Sequence, residues 1–143
     1  MNAAFNLLAE TLPMASLFII LADDDAAMRG MLGTSLRRRG FDVDECRDGK
    51  ELIDRLRAAR NGSRVPDLVL TDLRMPGPSG FDVLHWLQAW LPEVPLILIT
   101  AFGDAQTHRR ASELGAAAII DKPFDLQELH NHVARVIASA PNG

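Results

Sequence analysis

Four apolar segments of this chain are each followed by side chains suited to phosphate or metal chemistry. Three consecutive carboxylates follow the first segment, and a single carboxylate follows the second. The third segment ends with a hydroxyl group, and the fourth leads to an amino group. In chain order, the candidate residues are Asp23, Asp24, Asp25, Asp72, Thr100 and Lys122.

Together these groups could bind a divalent cation and a phosphoryl group. Carboxylates that crowd together repel one another and therefore need a cation. Oxygen ligands with room for water suit Mg²⁺. Thr100 and Lys122 could hold two phosphoryl oxygens while the third oxygen binds the metal. A carboxylate can itself be the nucleophile and become an aspartyl-phosphate, a reaction that depends mainly on positioning and charge neutralisation.

The segments that precede these residues have the pattern of strands buried on both faces. They are short, continuous apolar runs, as in parallel sheets covered by helices. A more polar segment, Phe41–Cys46, suits the edge of the sheet. The predicted strands are residues 17–22, 41–46, 68–71, 96–100 and 118–121. Helical patterns cover about residues 25–39, 50–59, 80–91, 105–115 and 126–138, with Asp25, Asp104 and Asp125 as N-caps.

This strict alternation predicts an α/β fold with a doubly wound, five-stranded parallel sheet. In such sheets, ligands bind beyond the carboxyl ends of the strands, so the candidate residues would meet at one edge. Asp25 also has a second interpretation, as a third metal-binding carboxylate rather than a helix cap.

Composition and charge argue against several other classes of protein. No apolar run approaches the roughly 20 residues of a membrane-spanning helix, although apolar residues make up 48% of the chain and can form a core. The net charge of −4 argues against a nucleic-acid surface, which needs a basic footprint. Cys46, the only cysteine, cannot form an internal disulfide and is expected to be inert. We therefore expect a protein of a reducing compartment, the cytoplasm.

The candidate residues lie in four motifs that resemble those of response regulator receiver domains, the CheY-like superfamily of two-component signalling. The motifs are the acidic pair Asp23-Asp24 with Arg29 beyond it, the loop Asp72–Gly80, the pair Thr100-Ala101, and Lys122-Pro123-Phe124. All four occur in the order and spacing of that family. The resemblance implies a receiver domain over residues 17–139, an N-terminal extension over 1–16 and a tail over 140–143.

The same resemblance implies a flavodoxin-like sheet of order 2-1-3-4-5 and a role for each candidate. Asp72 would accept a phosphoryl group from the phosphohistidine of a sensor histidine kinase or a histidine phosphotransfer protein. Thr100 and Lys122 would contact that group, and the Lys122-Pro123 peptide bond would be cis. The implied ligands of Mg²⁺ are Asp23, Asp24, Asp72 and the backbone carbonyl of Arg74.

Signalling would then depend on contacts with other proteins. The resemblance implies no enzymatic turnover beyond self-phosphorylation and autodephosphorylation on Asp72. The expected partners are the kinase or phosphotransfer protein and a downstream protein target, with a phosphorylation-dependent homodimer as one option. Neither direct nucleic-acid binding nor membrane binding is expected. Because only a few residues follow the fifth predicted helix, we expect the output to pass through protein contacts.

One position departs from the family's pattern. Receiver domains usually have Tyr or Phe three residues before the lysine, where this chain has Ile119. An isoleucine is stiff at χ1 and has no ring or hydroxyl to report a movement of Thr100. We therefore expect the segment from Thr100 to Asp104, rather than side chain 119, to respond to activation.

Two other functions fit parts of the pattern. A phosphatase of the haloacid dehalogenase type would use Asp23 and Asp25, but its motif needs Thr or Val where this chain has Ala27. A receiver-like binding module that is never phosphorylated is supported only by Ile119.

Several residues outside the motifs have more than one possible role. Trp86 and Trp90 lie four apart on the third predicted helix, beside the core positions Val83, Leu84 and Leu87, and form either local packing or a partner surface. The N-terminal extension is disordered or a short amphipathic helix, unless the chain starts naturally at Met14. That helix would include Phe5, Leu8, Ala9 and Leu12. All four histidines, His85, His108, His130 and His132, are expected at the surface.

Overall fold

The computed structural model describes residues 16–140, and within them strands and helices alternate as predicted. The strands are β1 (Phe18–Ala22), β2 (Asp42–Cys46), β3 (Leu68–Asp72), β4 (Leu96–Thr100) and β5 (Ala118–Asp121). The helices are α1 (Ala26–Arg38), α2 (Gly49–Arg60), α3 (Gly80–Trp90), α4 (Ala105–Glu113) and α5 (Leu126–Ala138). The proposed N-terminal helix and the alternative start at Met14 lie outside the described residues.

The five strands form one parallel sheet of order β2-β1-β3-β4-β5, as the resemblance implied. The polar strand β2 lies at an edge, where its exposed Asp42 meets water. The register places Asp72 beside Ile99 and Thr100 beside Asp121. The candidate residues on neighbouring strands therefore end at nearly the same level of the sheet.

Two hydrophobic layers cover the sheet, one on each face. Alternate strand residues such as Ile19 and Leu21 point to the layer formed by α1 and α5. Their neighbours, such as Ile20 and Ala22, point to the layer formed by α2, α3 and α4. Burial on both faces explains why the central strands are continuous apolar runs rather than alternating ones.

The three predicted helix caps are confirmed. The Asp25 side chain accepts hydrogen bonds from the backbone N–H groups of Ala27 and Met28, at 3.0 and 3.1 Å. Asp104 and Asp125 cap α4 and α5 in the same way. Since the Asp25 oxygen already satisfies two backbone donors of α1, capping accounts for this residue.

The prediction that all four histidines lie at the surface is wrong for His130. This side chain is only 7% exposed, because α5 turns it towards α1 between the core residues Leu129 and Val133. Its Nε2 atom lies 2.7 Å from the hydroxyl oxygen of Ser35. Burial lowers the pKa of His130, so the neutral ring fits this position.

Gly80 allows α3 to start directly against the end of β3. Its N–H donates to the Leu73 carbonyl at 2.8 Å. A Cβ atom at this position would lie 3.0 Å from the Asp72 carbonyl oxygen and 2.6 Å from a Leu98 methyl group. The absence of a side chain therefore helps to hold the Asp72 strand end in place.

We predict that Gly80→Ala lowers the free energy of unfolding by about 1–3 kcal/mol, the usual effect of overpacking. Gly30→Ala is the matched control. Gly30 lies in the interior of α1, and a Cβ atom there would meet nothing within 4 Å. Its replacement should instead raise stability by about 0.5–1 kcal/mol. Urea denaturation of both variants checks the pair, and equal effects of the two substitutions would contradict the packing argument.

Candidate metal and phosphoryl site

The carboxyl edge of the sheet brings together the residues selected from the sequence. Asp23 follows β1, Asp72 ends β3, Thr100 ends β4 and Lys122 follows β5. Asp23, Asp24 and Asp72 each offer a carboxylate oxygen, and these three oxygens lie within 4.8 Å of one another. The predicted cluster is therefore present, although its parts come from positions up to 100 residues apart in the chain.

Asp23 is the most buried member of the cluster, at 1% exposure. One carboxylate oxygen accepts a hydrogen bond from the Asp25 N–H at 2.9 Å. The other oxygen, Oδ2, is buried and has no hydrogen-bond partner within residues 16–140. Burial raises the pKa of Asp23, and the nearby Asp72 charge raises it further. A buried carboxylate oxygen of this kind calls for a cation.

Arg29 holds the backbone of this turn in place. Its Nη1 atom donates to the Asp23 carbonyl oxygen at 2.8 Å. The same guanidinium lies 3.6 Å from a Glu45 carboxylate oxygen on β2. Arg29 therefore ties the acidic pair to the edge strand and does not neutralise the Asp23 carboxylate directly.

Asp72 lies 8% exposed at the centre of the site. Burial raises the pKa of Asp72, and the positive charge of Lys122 opposes that rise. The Lys122 Nζ atom is 3.4 Å from Asp72 Oδ2, longer than the 2.7–2.9 Å of a tight charge-assisted hydrogen bond. The ammonium group is thus close to the carboxylate but does not form a tight hydrogen bond with it. The Lys122-Pro123 peptide bond is cis.

The donor set fits Mg²⁺. All three groups are carboxylates, the hard oxygen ligands that this ion prefers. The three oxygens lie within 4.8 Å of one another, so their side chains could converge on one cation. Asp24 is exposed, which leaves that side of the cluster open to water ligands. The Arg74 carbonyl as a further ligand stays a prediction.

Thr100 is 1% exposed, and its hydroxyl oxygen accepts a hydrogen bond from the Phe102 N–H at 2.9 Å. The Phe102 ring is itself 57% exposed, and the Arg74 guanidinium lies over it at 4.5 Å. Phe102 therefore contacts both the end of β4 and the loop that follows Asp72. Ile119 packs against the hydrophobic layer of α2, α3 and α4 and is half-buried.

Sequence reasoning missed a contact on the far side of the same edge. The His108 Nε2 atom lies 2.8 and 3.0 Å from the two carboxylate oxygens of Asp121, the residue before Lys122. A Cβ atom at Gly103 would overlap that same carboxylate. His108 reaches this carboxylate from the end of the first turn of α4, and no spacing motif in the sequence marks the pair.

The structure argues against the phosphatase interpretation, because Asp25, the second aspartate of that motif, has another role. Asp25 caps α1, and one of the two N–H groups that it accepts belongs to Ala27, the residue that departs from the phosphatase motif. As for the membrane, no helix within residues 16–140 is long and apolar enough to cross one.

Comparisons with known proteins agree with this geometry. The sequence profile of the response regulator receiver domain matches residues 19–134. The DNA-binding transcriptional regulator NtrC of Rhizobium meliloti is 38% identical over 125 residues, which are 87% of this chain and 25% of the relative. The regulatory protein LuxO of Vibrio vulnificus is 33% identical over 84% of this chain and 25% of its own length. The chain thus spans about a quarter of these relatives.

Solved structures show the same fold. The non-phosphorylated HemR receiver domain from Leptospira biflexa is 32% identical and has a TM-score of 0.78, over 86% of this chain and 95% of that domain. A response regulator receiver domain protein from Clostridium thermocellum is 26% identical with a TM-score of 0.75, over 85% and 94%. Sequence profile, relatives and fold all agree, and the chain belongs to the response regulator receiver domain family.

Proposed function

We propose that this chain is a phosphorylated switch that takes a phosphoryl group onto Asp72 from the phosphohistidine of a histidine kinase or a histidine phosphotransfer protein. Receiver domains of response regulators interact with histidine kinases. The observation that supports the proposal is the position of Asp72, with Lys122 at 3.4 Å and two further carboxylates within 4.8 Å. We place the protein in the cytoplasm, with output through protein contacts.

The residues divide the chemistry between them. A carboxylate oxygen of Asp72 attacks the phosphorus, the bond from phosphorus to the histidine nitrogen breaks, and the imidazole of the donor leaves. Lys122 neutralises charge on the transferred group, and Thr100 offers its hydroxyl to a phosphoryl oxygen. When bound, Mg²⁺ supplies the remaining positive charge. Asp23, Asp24, Asp72 and the Arg74 carbonyl would hold it.

The response to phosphorylation is expected in the loop that follows β4. The Thr100 hydroxyl now accepts from the Phe102 N–H, so a move towards the phosphoryl group would loosen that bond and free Phe102. Phe102 also touches Arg74, and Gly103 lies against Asp121. This short segment therefore contacts three of the four strand ends of the site and can shift as one element.

We predict a single phosphorylation on Asp72 when the protein is incubated with acetyl phosphate and Mg²⁺. Intact mass should rise by one phosphoryl group per chain, because Asp72 is the carboxylate beside Lys122. Asp72→Asn should abolish the label, while Asp121→Asn, at the edge of the same sheet, should keep it. Labelling that survives Asp72→Asn unchanged would remove the basis of the proposal. Repeated turnover of a phosphate ester would favour a phosphatase instead.

We predict that Mg²⁺ raises the melting temperature, since it binds the native cluster and relieves repulsion among three carboxylates. A chelator should reverse the effect. Asp24→Asn should weaken the response to Mg²⁺ and raise metal-free stability by about 0.5 kcal/mol, because it removes one like charge that is exposed. Thermal melts with and without Mg²⁺ test this. A sharp fall in the metal-free stability of that variant would show that our electrostatic account is wrong.

We predict that beryllofluoride, a phosphoryl mimic, shifts the backbone amide signals most strongly over residues 100–107. Phe102→Ala should reduce these shifts more than Ile119→Val, because it removes the ring that lies against Arg74 in the loop after Asp72, while Ile119 packs in the hydrophobic layer. NMR spectra of the three proteins provide the comparison. The loop hypothesis should be dropped if Ile119→Val abolishes the response and Phe102→Ala leaves it intact.

A further inference from the structure

A cleft of about 240 Å³ lies between the last turns of α2 and α3. Its lining consists of Arg57, Arg60, Asn61, Trp86 and Trp90. In a parallel sheet with crossover helices, each helix runs back from the carboxyl edge to the amino edge. The ends of α2 and α3 therefore lie away from Asp72, and the cleft is separate from the candidate phosphoryl site.

The cleft is rich in hydrogen-bond donors. Guanidinium and indole groups donate and do not accept, and only Asn61 among the lining side chains can do both. Within the described part of the chain, neither Arg57 nor Arg60 forms an ion pair or a side-chain hydrogen bond. Other cations of the same helix do, since Lys50 pairs with Asp54 and Arg55 with Asp44, at 3.0 and 2.9 Å. The lining thus favours an anionic ligand rich in acceptors.

The arrangement of Arg60 leaves its donors available. Its guanidinium carbon lies 4.0 Å from the centre of the Trp90 ring. A guanidinium that stacks on a ring uses its face, and its N–H groups point outwards in the plane of the group. This geometry suits a carboxylate, which can accept two parallel hydrogen bonds from one guanidinium.

Structural roles account for only part of the cleft. Cations at the end of a helix interact favourably with its dipole, which explains Arg57 and Arg60 on α2. Trp86 is half-buried and packs against the core, which explains its position on α3. Trp90, however, is 49% exposed, and its apolar ring stays in water. A large exposed ring that stacks on the Arg60 guanidinium, beside the Arg57 guanidinium, which has no ion pair among residues 16–140, is typical of a recognition surface.

We propose that this cleft binds an acidic peptide segment of a partner protein. Carboxylates of the segment would accept from Arg57 and Arg60, and an apolar side chain would cover Trp90. The volume is below the 300–1,000 Å³ of typical small-molecule pockets, which favours one or two side chains over a cofactor. Two guanidinium groups are too small a basic footprint for a nucleic acid, which contacts many phosphates. The proposal does not rest on phosphorylation of Asp72.

The protein's own fluorescence tests this proposal. The chain has two tryptophans and no tyrosine, and both tryptophans line the cleft. The probe is a short peptide of alternating Glu and Leu, and the control is the same peptide with Gln in place of Glu. We expect a saturable change in emission with the acidic peptide that weakens as salt increases, because exposed charges are screened.

Variants identify the residues responsible. Arg57→Gln and Arg60→Gln should each weaken binding about threefold, and the double variant about tenfold, the range of exposed ion pairs. Arg60→Lys should recover part of the loss, since an ammonium keeps the charge but not the planar fork. Arg38→Gln is the matched control, because Arg38 is exposed on α1 and has no ion pair among residues 16–140. It should bind like the unmodified protein.

Peptide anisotropy provides a second measurement that does not depend on tryptophan emission, and circular dichroism checks that each variant is folded. Binding of the Gln peptide with equal affinity would overturn the proposal, as would an equal loss in Arg38→Gln. If inorganic triphosphate competes as well as the acidic peptide, the cleft is a simple anion site and the proposal is wrong. No change in emission or anisotropy at millimolar peptide would also overturn it.

Discussion

Burial of two neighbouring carboxylates at one edge of the sheet is the constraint around which this molecule is organised. The apolar strands carry Asp23 and Asp72 into nearly complete burial at one edge of the sheet, and burial raises the pKa of both carboxyl groups. The Asp25 N–H opposes this rise at Asp23, and Lys122, at 3.4 Å, opposes it at Asp72. Such a cluster lowers the stability of the fold, since uncompensated charges in the interior cost free energy. Stability alone therefore does not explain why the cluster is present. A cation bound from solution would supply the positive charge that offsets this loss of stability.

The packing around the cluster determines which neighbouring segment can move when the charge of the cluster changes. The start of α3 packs on the Asp72 strand end through Gly80 and is held by reciprocal bonds between Ser79 and Asp82, so this side is rigid. The loop after β4 has no capping box, and its contacts are the Arg74 guanidinium over the Phe102 ring and the Asp121 carboxylate against Gly103. Phe102 is exposed, and its N–H donates to the Thr100 hydroxyl, the group that we propose binds a phosphoryl oxygen. Because this exposed loop packs less tightly than the start of α3, we expect the response to phosphorylation to occur in the loop.

How far the sequence predicts this structure depends on the range of the contacts involved. Continuous apolar runs predicted the strands, and local capping residues predicted where helices start, since a cap such as Asp25 acts on N–H groups two and three residues ahead. The burial of His130 was not predictable in this way, because its partner, Ser35, lies 95 residues away on another helix. The same holds for His108 and Asp121, which meet across two elements. Motif order placed the site because all parallel strands end at one edge.

The rigidity of α3 also separates the two ends of the molecule. This helix begins at Gly80 beside the candidate phosphoryl site and ends at Trp90 in the donor-rich cleft, so it directly connects the two. A connection through a packed helix transmits a signal only if the helix has two arrangements that each ligand distinguishes. The capping box and the close contact at Gly80 favour the arrangement of this helix start that is seen here. An acidic segment in the cleft would therefore anchor a partner whether or not Asp72 is phosphorylated, while the loop after β4 would report that state.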